Sequence, residues 1–87
     1  MTSEDASEML KALAHPTRLE IIAGLLKNEC NVAEIQKKLG LPQSTISQHL
    51  RILRKSGIIR ARRDGTRRCY RVVDNRARKI VQIMARG

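Results

Sequence analysis

The chain has 87 residues, 18 of them Lys or Arg against 8 Asp or Glu, and a single aromatic, Tyr70. That length suits one small domain over 1–87, with a core of Leu, Ile, Val, Ala and Met so limited that oligomerisation is a natural remedy. The sequence pI near 10.9 calls for a polyanionic partner, while the lack of any apolar run of membrane-spanning length and of a basic-then-apolar start argues against a membrane span or an export signal.

A cytoplasmic protein is therefore expected, and its two cysteines should by default be reduced thiols. The charge is lopsided. Residues 1–31 carry a net −2 and residues 32–87 a net +12, the one-sided footprint of a nucleic-acid binder.

In chain order, Ala6, Met9, Leu10 and Leu13 make one apolar stripe and predict a helix over about 3–13. His15-Pro16 interrupts it, and Pro16 opens a second helix. That helix is apolar on two sides, through Leu19, Ile22, Ala23 and Leu26 on one and Ile21 and Leu25 on the other, so it should be central. Asn31 and Glu34 resemble a capping pair opening a third helix with Val32, Ile35 and Leu39 inside. Gly40 ends it and Leu41-Pro42 restarts the chain, giving a helix-turn-helix over about 32–56.

The fourth helix carries Ile46, Leu50 and Leu53 at inward spacing. Its outer face holds Gln43, Ser44, Thr45, Ser47, Gln48 and Arg51, short polar groups and one arginine where a merely solvated helix would mix long charges. Gln grips adenine bidentately, Arg grips guanine, and Ser or Thr reaches either base edge. That is the chemistry of a helix lying in a DNA major groove. Gly57 closes the helix. Ile58 to Arg63 and Thr66 to Val73 read as strands around Asp64-Gly65, a hairpin over about 58–73. Asp74 or Asn75 then caps a last helix over about 75–86, with Ala77, Ile80, Val81 and Met84 on one face. The order α-α-α-α-β-β-α is a mainly helical winged helix-turn-helix with the hairpin as wing.

Arg60, Arg62, Arg63, Arg67 and Arg68 crowd the wing, where their mutual repulsion contributes nothing to folding. Arginines so placed suit phosphates or a narrow minor groove, although charge also guards a solvated edge strand against aggregation.

These residues together resemble the arsenic-repressor (ArsR/SmtB) family of transcriptional regulators. The similarity runs through Leu13-Ala14-His15-Pro16-Thr17-Arg18-Leu19 with Ile21-Ile22, and Leu41-Pro42-Gln43-Ser44-Thr45-Ile46-Ser47-Gln48-His49-Leu50. It continues in Ser56-Gly57-Ile58-Ile59 and in Arg63-Asp64-Gly65 leading to Cys69-Tyr70-Arg71-Val72, and covers about residues 8–74. The resemblance implies a homodimeric repressor on a palindromic operator in double-stranded DNA, released by an inducer. It also implies a dimer interface of first and last helices, whose candidates are Met9, Leu10, Leu13, Ile80, Val81 and Met84.

The family's metal sites are not matched. Asn31 and Ala33 stand where arsenic-type members have thiols, and the last helix offers no ligand beyond Asp74, whereas zinc or arsenite needs three or four converging ligands. No metal or other cofactor is expected. His15 and His49 read as isolated, with His49 facing a phosphate. Cys30 and Cys69 admit two readings. Each can be a small buried hydrophobe. Alternatively, the segment before the third helix pairs with the returning wing strand, bringing the thiols together as a redox pair that Arg68 and Arg71 would activate.

The rival function is a winged-helix module for RNA or a protein partner, which would not need the Gln/Ser/Thr/Arg face; RNA readers also favour aromatic platforms. Catalysis is not expected, because no acid pair, nucleophile–histidine motif or phosphate-binding glycine loop is present.

Overall fold

The computed structural model describes residues 2–85. Helix α1 (Ser3–Leu13) and α2 (Pro16–Lys27) precede α3 (Val32–Leu39) and α4 (Gln43–Lys55); β1 (Ile59–Asp64) and β2 (Arg67–Val72) form a hairpin before α5 (Asn75–Ala85). Position 86 of the expected last helix lies outside the described residues.

Local chemistry accounts for the element ends. Thr2 and Asp5 exchange side-chain-to-backbone bonds in a capping box at α1. His15 Nδ1 accepts the Thr17 N–H at 3.1 Å and caps α2, with Pro16 in its first turn. Asp74 Oδ1 accepts the Arg76 and Ala77 N–H groups and so caps α5. The capping pair expected at α3 does not form: Asn31 makes no side-chain cap. Its Nδ2 instead donates to the Gly24 carbonyl of α2 at 3.3 Å, which turns the side chain toward α2 and leaves Oδ1, the atom a cap would use, without a partner.

Helix α2 is the hub, packing against α1, α3, α4, α5 and β2. Its two apolar sides meet one contiguous core of Ile21, Ile22 and Leu25 with Leu13, Ile46, Leu50, Leu53, Ile58, Ile59, Tyr70, Val72 and Val81. The helix-turn-helix turn depends on Gly40, whose φ of 65° lies in the left-handed region that only glycine adopts freely. There the Leu41 N–H reaches the Gln36 carbonyl and the Gly40 N–H reaches Lys37, a Schellman stop that redirects the chain into α4.

The strands are antiparallel in the register Ile59↔Val72 to Asp64↔Arg67. The two-residue loop is therefore Gly65-Thr66, one position beyond the expected Asp64-Gly65. Asp64 stays in the ladder opposite Arg67, and Gly65 at φ 64° takes the first central place, as in a type II′ turn. The outer edge of β2 is bordered by the segment before α3, where the Tyr70 N–H donates to the Glu29 carbonyl at 2.8 Å.

Candidate nucleic-acid interface

The amphipathic pattern of α4 decides what it presents. Ile46, Leu50 and Leu53 are buried, so Gln43, Ser44, Ser47, Gln48 and Arg51 stand exposed along the opposite side, with Thr45 half-buried. Its first turn holds no acid, which leaves the positive helix end open toward an anionic partner.

Between α4 and the wing runs an open groove of about 630 Å³, lined on the helix by Ser47, Arg51, Arg54 and Lys55 and on the hairpin by Arg60, Arg68 and Tyr70. Among the described residues no acid lines it. Five cations gathered around a concave surface repel one another, and a row of phosphates removes that cost. Arg54 and Lys55 were not singled out from the sequence. They read there as an ordinary basic helix end, and only the wing folding alongside makes them part of a groove.

The wing arginines divide into two sets. Arg63 and Arg68 are exposed at the tip, opposite each other in the ladder. Arg62 places two guanidinium nitrogens on Glu29 Oε1, at 2.9 and 3.2 Å, and Arg67 lies 3.4 Å from Asp64. Arg71 also reaches Glu29, at 3.5 Å. Arg62 and Arg67, expected to face DNA, each also serve an acid while remaining exposed, and Glu29 fastens the hairpin to the body. Glu29 was overlooked in the sequence, though an acid beside a cysteine just ahead of the basic half was the available signal.

His49 also departs from expectation. It is half-buried, its ring 4.6 Å from that of His15, and its Nδ1 accepts the Arg18 Nε–H at 3.2 Å. Burial, then the charges of His15 and Arg18, hold its pKa below the usual 6.5. Arg18 further donates to the Ala12 carbonyl. The two histidines are not isolated; they join α1, α2 and α4 into one unit behind the recognition face.

Of the expected interface residues, Met9, Leu13 and Val81 are buried in the chain's own core and are unavailable to a partner. Leu10 and Met84 are exposed, joined by Ile83, and Ile80 is half-buried. The α5 stripe is wider than one partner face: its Ala77–Val81 side packs inward, leaving Ile83 and Met84 outside.

Cys30 and Cys69 are joined as a disulfide, with Cα atoms 4.2 Å apart. The segment before α3 and the returning wing strand are therefore adjacent. At the family's metal positions Asn31 and Ala33 offer no thiol, and Asp74 is engaged by its cap and by Arg76 at 2.8 Å.

A helix-turn-helix with an exposed Gln/Ser/Arg face and an arginine-lined wing beside it defines a winged-helix DNA-binding regulator. Residues 15–61 match the family described as bacterial regulatory protein, arsR family, and the chain belongs to that family. An uncharacterized HTH-type transcriptional regulator of Methanocaldococcus jannaschii is 44% identical over 82 residues, covering 93% of this chain and 92% of the relative. Among solved structures, reduced HlyU from Vibrio cholerae superposes with a TM-score of 0.88 at 34% identity, over 97% of this chain and 88% of that one. The homodimeric winged helix-turn-helix DNA-binding domain of a Mycobacterium bovis protein gives 0.79 at 30% identity, over 94% and 76%. The chain is a DNA-binding transcriptional regulator.

Proposed function

We propose that two copies of the chain bind an inverted-repeat operator and repress by occupying it. The observation that carries this reading is the acid-free cationic groove between α4 and the wing, set beside the exposed Gln43–Gln48 face. Gln43, Ser44, Ser47, Gln48 and Arg51 read base edges, with Thr45 at the margin. Arg63 and Arg68, with Arg51, Arg54, Lys55 and Arg60 in the groove, hold phosphates. A two-fold axis through the α1 and α5 surfaces repeats the recognition helix about 34–36 Å away, one turn of the duplex. The protein acts in the cytoplasm, without a membrane or catalytic role. Selection from random duplexes should enrich an inverted repeat with half-site centres about 10 bp apart. Enrichment of a lone half-site, or preference for single-stranded RNA, would defeat the proposal.

The cysteine pair favours a thiol inducer for the same regulator. Two thiols give two electrons and two protons to hydrogen peroxide, which leaves as two waters, and the new Cys30–Cys69 bond fixes the wing strand to the segment before α3. Oxidation should lower operator affinity reversibly, and Cys30→Ser should ignore the oxidant. Equal affinity in both redox states would remove the thiol inducer while leaving the operator reading intact.

A further inference from the structure

We infer that the reduced protein holds a thiophilic divalent cation of the zinc type between the body and the wing, with Cys30, Cys69 and Asp64 as its ligands. The inference does not depend on how oxidation affects the operator; it needs only that the disulfide be opened. A dithiol reductant does so by taking the bond into its own disulfide and leaving two protein thiols. The cation then displaces two thiol protons.

The placement follows from the hairpin register. Cys69 faces Arg62 across the ladder and Asp64 faces Arg67. Alternation therefore puts all four on one face, the face to which Cys30 is bonded. The sulfurs of Cys30 and Cys69 and a carboxylate oxygen of Asp64 lie within 4.8 Å of one another. Ligand atoms around tetrahedral zinc, at about 2.3 Å for sulfur, stand roughly 3.7 Å apart. Once the bond opens, the two sulfurs must move apart from bonding distance and the carboxylate oxygen must close in, changes of about an ångström or two that side-chain rotation supplies. Three protein ligands leave a fourth position for water, the open form of such a site. Sequence spacing gave no hint of it: Cys30, Asp64 and Cys69 come from a loop, a strand end and the facing strand. The family positions discussed above, Asn31, Ala33 and the last helix, have no part in it.

The surrounding arginines oppose a cation at first sight, yet their positions fit an outer shell. The Arg62 guanidinium lies 4.0 Å from the Cys30 sulfur, which favours the thiolate needed for ligation. Arg67 touches only Oδ2 of Asp64, so the other oxygen is available while the carboxylate is held in place. Two thiolates and a carboxylate carry three negative charges against the two of the ion, and Arg67 beside Asp64 balances the one in excess. Because the same sulfurs make either the disulfide or the metal bonds, oxidation must expel the ion.

The test uses the full chain, reduced and freed of reductant under anaerobic conditions, titrated with cobalt(II) as a spectroscopic probe. One ion per chain should bind, with thiolate-to-cobalt charge-transfer absorption and tetrahedral ligand-field bands, and zinc should displace it. The oxidised protein should show neither signal. Cys69 is fully buried, so Cys30→Ser at the more exposed partner is the primary variant, with circular dichroism to check folding; it should abolish tight binding. Asp64→Asn should keep the charge-transfer absorption but weaken binding on the order of 10–100-fold. Absence of charge-transfer absorption in the reduced chain, or one ion shared by two chains, would overturn the inference. So would binding unchanged by Cys30→Ser or by Asp64→Asn. Operator binding is not a readout, so failure here leaves the proposed function untouched.

Discussion

The exposed apolar residues of α5 give the most direct handle on assembly. Ile83 and Met84 are 66% and 65% exposed in the single chain, so replacing both by alanine removes nothing from the core. Fully burying one such side chain is worth about 1.5–3 kcal/mol. Two-thirds of that for the pair amounts to ~2–4 kcal/mol per copy, and two-fold symmetry repeats it. Alanine keeps part of the contact and interfaces desolvate side chains incompletely, so about half the doubled sum, ~2–4 kcal/mol, should be lost from the dimer. That raises the dimer dissociation constant roughly 30- to 1,000-fold. Sedimentation equilibrium over a range of concentrations measures it. Alanine is the better helix former, so circular dichroism should show the monomer's helices intact. A dissociation constant unchanged by the double substitution would place the interface elsewhere and refute the reasoning from exposure.

Three further outcomes follow from named contacts. Gln43→Ala or Gln48→Ala should relax sequence preference by about 1–3 kcal/mol per base pairing, whereas Arg68→Ala should weaken all duplexes alike and flatten the log–log salt slope by about 0.9; an exchange of these behaviours in competition assays would reverse the division between helix and wing. The disulfide closes a separation of 39 residues, worth about 4 kcal/mol on the chain-entropy model. Reduction should then lower the thermal midpoint by about 15–30 °C at fixed protein concentration, and an unmoved midpoint would deny that tether a stabilising role. Because the folded state holds the His49 pKa below 6.5, its stabilising contribution is complete above that pH and lost as pH falls below it. The urea-midpoint difference between the parent chain and His49→Gln should shrink on acidification, and a pH-independent difference would show that the Arg18 contact does not depend on a neutral ring.

The elements were legible because their signals are local. A 3.6-residue apolar period marks α1, α2, α4 and α5, while Gly40 and Pro42 punctuate the turn between α3 and α4. The contents of the recognition face follow from the same periodicity, since whatever lies opposite Ile46, Leu50 and Leu53 must be exposed. Pairings across the fold were not legible in this way. Asn31 looks like a cap until Gly24 arrives beside it, and His15 and His49 look solitary until α2 crosses α4. Arg62 and Arg67 look unpaired until the loop before α3 supplies Glu29 and the register supplies Asp64. Met9, Leu13 and Val81 share stripes with exposed neighbours, and no one-dimensional pattern says which side of a stripe the core takes. The adjacency of the cysteines was one of two readings left open, suggested by winged-helix topology and not by any property of the two residues, and the disulfide departs from the reduced thiols expected by default.

The wing's position is fixed from both sides, and this gives the Glu29–Cys30 segment its leverage. On one face Ile59 and Tyr70 are buried and line the groove beside α4. On the other, three ties converge from adjacent residues of one short loop. The Glu29 carbonyl takes the Tyr70 amide, its carboxylate takes Arg62 and Arg71, and Cys30 takes Cys69. That loop also leads directly into α3, which supports the recognition helix. Arg63 and Arg68 are therefore coupled to that loop through the hairpin, and the sulfur pair sits where the wing meets the segment leading into α3. The disulfide is one of three ties, the other two running through Glu29. The exposed ion pairs contribute little each, whereas the covalent tie constrains strongly. A difference of that size is what the proposed thiol inducer would need in order to bias the wing between two states.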